Sequence, residues 1–413
     1  MENTQGAGLG GETARRMPDA GVKDVDGEKS AAAGKAGAAV GPARIHGLDT
    51  LRALAVSLVV LHHYTLFVSV APTFGWFGEI GWAGVDLFFA LSGYLIGNQI
   101  LGALRSPGGL SLGRFYARRL LRTLPNFWVV LALYALWPAW RGEHPMLPLW
   151  KYLSFTQNIH LAPGTAFSHA WSLCIEEQFY MVLPAAAIGA ALLGRRGLGM
   201  RWAWGAVALA FAAGMWFRHD IWVEGQGARH WLRWYYQYIY YSSWCRFDEL
   251  LAGVALAMLR HRHGLLWSWL MARGNALLAL GLLVTGAAFR WFLDEHYGHA
   301  PTVFGYPLLA LGFSLLILAA LAPGSLLHRM RVPGAASLAL WSYAVYLTHR
   351  SVSDLAAARM DAFGFGRESV PTILAALLAS LLAGWLLYKL VETPFMLLRE
   401  RWLPGNGARP AQR

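Results

Sequence analysis

Charge is scarce in this chain: only 14% of its 413 residues are Asp, Glu, Lys or Arg, while 56% are hydrophobic. That balance excludes an ordinary soluble protein of this length. Cysteine is scarcer still. Cys174 and Cys245 are the only two, with no metal-ligand spacing and no basis for a disulfide framework. Each sits in an apolar or aromatic run, which points to a buried, inert thiol. Residues 1–43 lack any apolar run long enough for a signal-peptide core and are rich in Gly and Ala. They read as a disordered cytoplasmic tail. Neither a metal nor a nucleic-acid partner is expected.

Long apolar runs, by contrast, are plentiful. Runs of roughly 18–22 residues suffice to cross a hydrocarbon core of ~30 Å as helices, which satisfy their own backbone hydrogen bonds. Such runs fall near 50–70, 82–101, 124–140, 171–193, 202–217, 246–260, 276–293, 304–322, 338–356 and 370–391. The expected fold is an all-α integral membrane protein, a bundle of about ten transmembrane helices. Arginines concentrate in the loops after the second, fourth, sixth and eighth runs, as in Arg105, Arg114, Arg118, Arg119 and Arg122, or Arg195, Arg196 and Arg201. The alternate loops hold fewer. Since cytoplasmic loops carry the basic excess, both termini are expected in the cytoplasm. The formal net charge of +12 then reflects topology and attraction to anionic membrane lipids. A transmembrane domain over 44–396 and a short basic cytoplasmic tail over 397–413 complete the expected organisation.

Several polar residues interrupt the apolar runs. In LDTLRALAVSLVVLHHY, Arg52 and His63 are eleven residues apart, close to three helical turns, so they share a face with a rise of about 16 Å between them. An ionisable group carried to mid-membrane is a functional candidate by default; a neutral histidine donating one hydrogen bond between helices is the structural alternative. His62 points about 100° away. In the second run, Ser92, Gly93 and Tyr94 offer small residues that let another helix approach closely. Asp86 is placed near its outer end, partly solvated. Then RFYARRLLRTLP sets Arg114, Arg118, Arg119 and Arg122 at three- and four-residue spacing, a helical cluster of fork-shaped phosphate donors or an anchor on lipid headgroups.

The strongest local pattern is HAWSLCIEEQFY. Ser172, Glu176 and Tyr180 recur at i, i+4 and i+8 beside Trp171, forming a polar stripe on an otherwise apolar helix. Glu177 points about 100° from Glu176, so only one of the two is expected to share a cavity with Ser172. Aromatic side chains from Trp231 to Trp244 suit an interfacial belt or a platform for sugar rings. Arg246 and Asp248 are a candidate pair, and the place of His349 stays open.

Taken together, LDTLRALAVSLVVLHH, GVDLFFALSGYLI, RRLLRTLP, WSLCIEEQFY, RFDELLAG, SYAVYLTH and VETPF resemble, in order, the successive signatures of the bacterial membrane acyltransferase-3 family. The resemblance implies ten membrane helices and transfer of an acyl group, usually acetyl from acetyl-CoA, to hydroxyls of carbohydrates. It implies that Arg52 and His63 match the family's first-helix Arg and catalytic His, and that Arg119 and Arg122, with Arg118 beside them, bind the acyl-CoA donor. Trp171, Ser172, Glu176 and Tyr180 fall on its Trp-Ser-Leu-x-x-Glu motif, and Ser92 on its Ser-Gly-aromatic turn. Some relatives carry an added periplasmic esterase-like domain; a single-domain enzyme is expected here.

In this reading His63 is the general base, with a covalent acetyl-His relay as a variant. Glu176 orients an imidazole or the acceptor, and Ser172 supports either. The implied partners are acetyl-CoA or another acyl-CoA, a carbohydrate or glycolipid acceptor such as a surface polysaccharide or its lipid-linked precursor, and the lipids of the bacterial inner membrane. No tightly bound cofactor is implied. A proton-coupled secondary transporter of a small solute would also bury His and Glu in a bundle. It predicts movement of solute without acyl-CoA, and leaves the arginine cluster without a role.

Overall fold

The structure, a computed structural model, describes residues 44–194 and 199–404. The expected tail over 1–43, Arg195 and Arg196, and the last residues of the C-terminal tail lie outside the described residues. Eleven helices frame the fold: α1 (His46–His63), α2 (Ala83–Arg105), α3 (Leu112–Leu136), α4 (Trp171–Gly194), α5 (Gly199–Gly225), α6 (Asp248–Arg262), α7 (Gly274–Asp294), α8 (Tyr306–Leu321), α9 (Ala335–Asp361), α10 (Val370–Leu387) and α11 (Thr393–Trp402). Every expected run has become a helix. Residues 397–402, read as the start of a tail, continue α11 instead.

The chain is an all-α, multi-pass membrane protein. Among the described residues, six helical stretches are long and apolar enough to cross a membrane: His46–Ser69, Ala83–Arg105, Ser168–Gly194, Gly274–Asp294, Pro301–Leu321 and Val370–Trp402. The other long helices fall short for identifiable reasons. With 15 residues, α6 reaches only about 22 Å, and α3, α5 and α9 carry charge, including Arg114, Arg118, Arg119 and Arg122, Arg218 and Asp220, and Arg350 and Asp354.

The core lies where α1 packs on α2, α8 and α9, with α2 against α6 and α9 against α10. The apolar window around α8 is 78% buried, whereas that of α7 is 28% buried. Leu282, Leu283, Leu378 and Leu382 accordingly point outward, apolar surface that lipid would cover. Where α2 meets α6, a Cβ on Gly93 would collide with the carbonyl of Leu250, and one on Gly253 with the carbonyl of Ala90. The small residues read from the sequence do permit this close approach.

Ion pairs pin the bundle at depth. Arg246 pairs with Asp86, and Arg218 with Asp248. The expected Arg246–Asp248 pair does not form: Arg246 lies in the bend that precedes α6 and its guanidinium is taken by Asp86, while Asp248 at the start of α6 is taken by Arg218. Asp86 is fully buried, not partly solvated, since Arg246 covers it. The Arg246 guanidinium also lies 4.3 Å from the ring centroid of Tyr306 and 4.8 Å from that of Tyr240, cation–π contacts that add to the pair.

Candidate active site

A cavity of about 430 Å³ opens between α1, α2, α3, α4, α9 and α11. Five guanidinium groups line it: Arg52 from α1, Arg118, Arg119 and Arg122 from α3, and Arg399 from α11. The three- and four-residue spacing on α3 delivers its trio to one side. Arg119 lies 4.0 Å over the ring of Tyr180 and 3.5 Å from Oε1 of Glu177, which also accepts from Thr123 at 3.0 Å. Arg118 bonds Glu400 at 2.9 Å and the carbonyl of Leu403. Glu392 accepts from Asn126 at 2.8 Å on the same flank. Against these arginines the lining sets two carboxylates, Glu176 and Glu177. The excess of planar donors suits phosphate oxygens.

The stripe on α4 faces this cavity as its spacing requires: Ser172, Glu176 and Tyr180 all line it. Ser92 donates to Glu176 at 3.0 Å. The expectation that only one glutamate would face the cavity is corrected. The cavity wraps α4, so Glu176 meets α2 through Ser92 while Glu177 meets α3 through Arg119 and Thr123.

Tyr346 forms the floor. Its hydroxyl donates to the carbonyl of His169 at 2.5 Å and accepts from Ser172 Oγ at 2.7 Å. Beyond it lie three imidazoles. Ring centroids are 4.9 Å apart for His63 and His349, 6.0 Å for His63 and His169, and 5.5 Å for His169 and His349. His349 Nδ1 donates to the backbone carbonyl of Tyr346 at 2.8 Å, which leaves its Nε2 as an acceptor. That Nε2 lies 2.6 Å from Nδ1 of His63. His63 therefore donates through Nδ1 and keeps the lone pair on Nε2, the form a general base needs. Arg350 stands nearby, its guanidinium 4.1 Å over Phe67 and bonded to Ser168 at 2.9 Å.

The expected residues thus divide into two groups. Arg52, Ser92, Arg118, Arg119, Arg122, Ser172, Glu176 and Tyr180 share the arginine cavity. His63 lies apart, in a void of about 30 Å³ with His169 and Trp171. The sequence reading passed over Tyr346, Arg399 and the pairing of His349. A signal existed for His349 in its polar, hydrogen-bonding surroundings SYAVYLTHR, but nothing in it pointed to a partner 286 residues away. Among the described residues, no group of three or more His, Cys, Asp or Glu is arranged to hold a metal ion.

Comparison with known proteins adds a second line of observation. A family model described as an acyltransferase domain matches residues 45–389. A Staphylococcus aureus (strain COL) protein named as an O-acetyltransferase is 29% identical over 229 residues, 52% of this chain and 35% of that protein. A peptidoglycan O-acetyltransferase of Listeria monocytogenes is 30% identical over 156 residues, 34% of this chain and 24% of its own length. A Bacillus subtilis protein named for the same peptidoglycan activity is 34% identical over 155 residues, 34% of this chain and 23% of its own. The matches span well under two thirds of each relative's length. No solved structure matches.

Proposed function

The chain belongs to the acyltransferase-3 family, and from that premise we propose that it is a membrane O-acyltransferase. It moves an acetyl group from acetyl-CoA to a hydroxyl of a cell-envelope carbohydrate. It works in the bacterial inner membrane with both termini in the cytoplasm. The observation that carries this reading is the placement of His63: its tautomer is fixed by His349, and it lies one side chain beyond a cavity lined with arginines.

The chemistry runs as follows. Arg119 and Arg122, with Arg52, Arg118 and Arg399 around them, hold the phosphates of the donor. Nε2 of His63 takes the proton of the acceptor hydroxyl as its oxygen attacks the thioester carbon. The carbon–sulfur bond breaks, the ester forms, and the imidazolium returns the proton to the departing thiolate. Glu176, held by Ser92, faces the donor cavity. Its part is to position donor groups rather than the imidazole, from which Tyr346 separates it.

Membranes containing wild type or His63→Ala, matched for folded protein, are incubated with labelled acetyl-CoA and envelope glycan, and alkali-labile label in carbohydrate is scored. The expected result is label with wild type and none with the variant. Equal labelling from both removes His63 as the base. No label from either, with solute moving into vesicles in the absence of acyl-CoA, replaces the enzyme by a transporter.

A further inference from the structure

A second cavity, of about 270 Å³, lies at the C-terminal end of α1 and is unused by the chemistry above. Trp82, Tyr236 and Tyr297 give it aromatic walls, and His62, Glu79 and His296 supply polar atoms. His62, Trp82 and Tyr236 also line the small void that holds His63. Arg52, on the donor cavity, precedes His63 by eleven residues, about 16 Å along the helix. His63 is therefore flanked by two cavities of different chemistry: one rich in guanidinium, the other aromatic.

An interfacial belt does not account for this arrangement, because belt residues present their rings outward. Here the π-helical stretch Tyr235–Tyr240 turns rings inward: Tyr235 and Tyr240 are buried, and the Tyr236 hydroxyl lies 3.1 Å from that of Tyr297. The polar atoms are also set for a neutral, hydroxyl-bearing ligand. His62 Nδ1 donates to the carbonyl of Gly78 at 2.7 Å, which leaves Nε2 as an acceptor. Glu79 is exposed at the rim and adds a second acceptor. Rings with an apolar face and a polar edge, beside convergent acceptors, fit a pyranose, whose C–H face is apolar and whose perimeter is hydroxyl.

We propose that this cavity binds one sugar ring of the acceptor and presents a hydroxyl to Nε2 of His63, while the donor is held at the arginine end. Donor and acceptor thus enter from opposite ends of the bundle. The proposal rests on the acyl-transfer reading. No reagent is added to the step: the hydroxyl proton passes to His63, the new bond is carbon–oxygen, and the broken one is carbon–sulfur.

The full chain in lipid nanodiscs is titrated with radiolabelled chitotetraose, and separately with labelled acetyl-CoA. Leu66→Trp fills the cavity from a residue that lines it, and Glu79→Ala removes the rim acceptor at an exposed site where folding is not at stake. The expected result is saturable chitotetraose binding by wild type, weakened at least about tenfold in both variants, with acetyl-CoA affinity unchanged. Arg119→Ala should show the reverse. Undiminished chitotetraose binding in both variants, or none to wild type, overturns the proposal. Loss of chitotetraose binding in Arg119→Ala also overturns it, by placing the sugar in the arginine cavity. If envelope glycan is still acetylated at the wild-type rate by both variants, the cavity is excluded and the acyl-transfer reading survives. If chitotetraose occupies the cavity and no glycan is ever acetylated, the sugar site stands and the acyl-transfer reading falls.

Discussion

Nδ1 of His63 lies 2.6 Å from Nε2 of His349, and the two rings are nearly parallel, 5° apart. In the proposed reaction His349 is thereby a positioning residue: it fixes which nitrogen of His63 carries the proton. His349→Ala is expected to lower kcat by about 10²-fold, within the range that general-base catalysis spans, and to leave the KM for acetyl-CoA unchanged. His349→Gln, whose amide oxygen can accept from His63, should recover part of the rate. A wild-type kcat in His349→Ala, from steady-state kinetics on folded protein, ends this account of the pair.

The arginine cavity makes a different demand. Charge-assisted hydrogen bonds are worth roughly 1.5–3 kcal/mol each, so Arg119→Ala and Arg122→Ala should each raise the KM for acetyl-CoA by about 10- to 100-fold. Lysine restores charge but not the planar fork, and should rescue only in part. Added salt should weaken donor binding in wild type more than in the variants. Donor titrations by calorimetry would measure all three, and an unchanged affinity in both alanine variants would assign these arginines to lipid.

What the sequence could and could not disclose follows from the range of its signals. Apolar runs are local, and every one of them became a helix. The stripe Ser172, Glu176 and Tyr180 is also local, and all three line one cavity. Pairing across the bundle is not local. Arg246 has an acid two residues away and pairs instead with Asp86, 160 residues distant, because Asp248 is already held by Arg218 from another helix. Arg399 sits in a basic stretch that composition reads as a tail, until α11 carries it to the arginine cavity. The π-helical turns at Tyr64–Ser69 and Tyr235–Tyr240, which shape the walls near His63, have no periodic signature in the sequence.

The close contact of α2 and α6 yields a stability test. Gly93→Ala would drive a methyl into the carbonyl of Leu250, and overpacking costs about 1–3 kcal/mol. The expected fall in melting temperature is about 2–10 °C for a chain of this size. Gly108, with open space around it, is the control, and Gly108→Ala should melt with wild type. Equal melting of the two variants in detergent would show that the helices separate more easily than their packing implies.

His296, in the connection between α7 and α8, has its pKa pulled down to about 4 by burial, with His62 and Arg246 adding to the effect. An unfolded histidine titrates near 6.5, so between those values the unfolded chain binds more protons than the folded one. Stability contributed by neutral His296 is fully present above 6.5 and is lost as pH falls toward 4. Melting temperature should decline across that window, and His296→Gln should flatten the decline. Identical pH slopes in the two proteins would place the acid sensitivity elsewhere.

Tyr346 stands between the two halves of the proposed reaction. Its hydroxyl closes the floor of the arginine cavity through Ser172 and His169, and in the proposed reaction a thioester held by the arginines reaches His63 when this side chain swings aside. Tyr346→Phe removes both bonds, and with them about 1–3 kcal/mol that favours the closed floor. The floor then opens more often without an acceptor in place, and water meets the thioester at His63. Hydrolysis of acetyl-CoA in the absence of glycan should rise by about 5-fold to about 150-fold if opening limits the wild type, since 1.4 kcal/mol is a factor of ten. Tyr346→Ala should leak more, and the added substitution His63→Ala should abolish the leak in either background. Hydrolysis at the wild-type level in Tyr346→Ala, with transfer to glycan intact, means that the donor reaches His63 by a path that does not pass Tyr346.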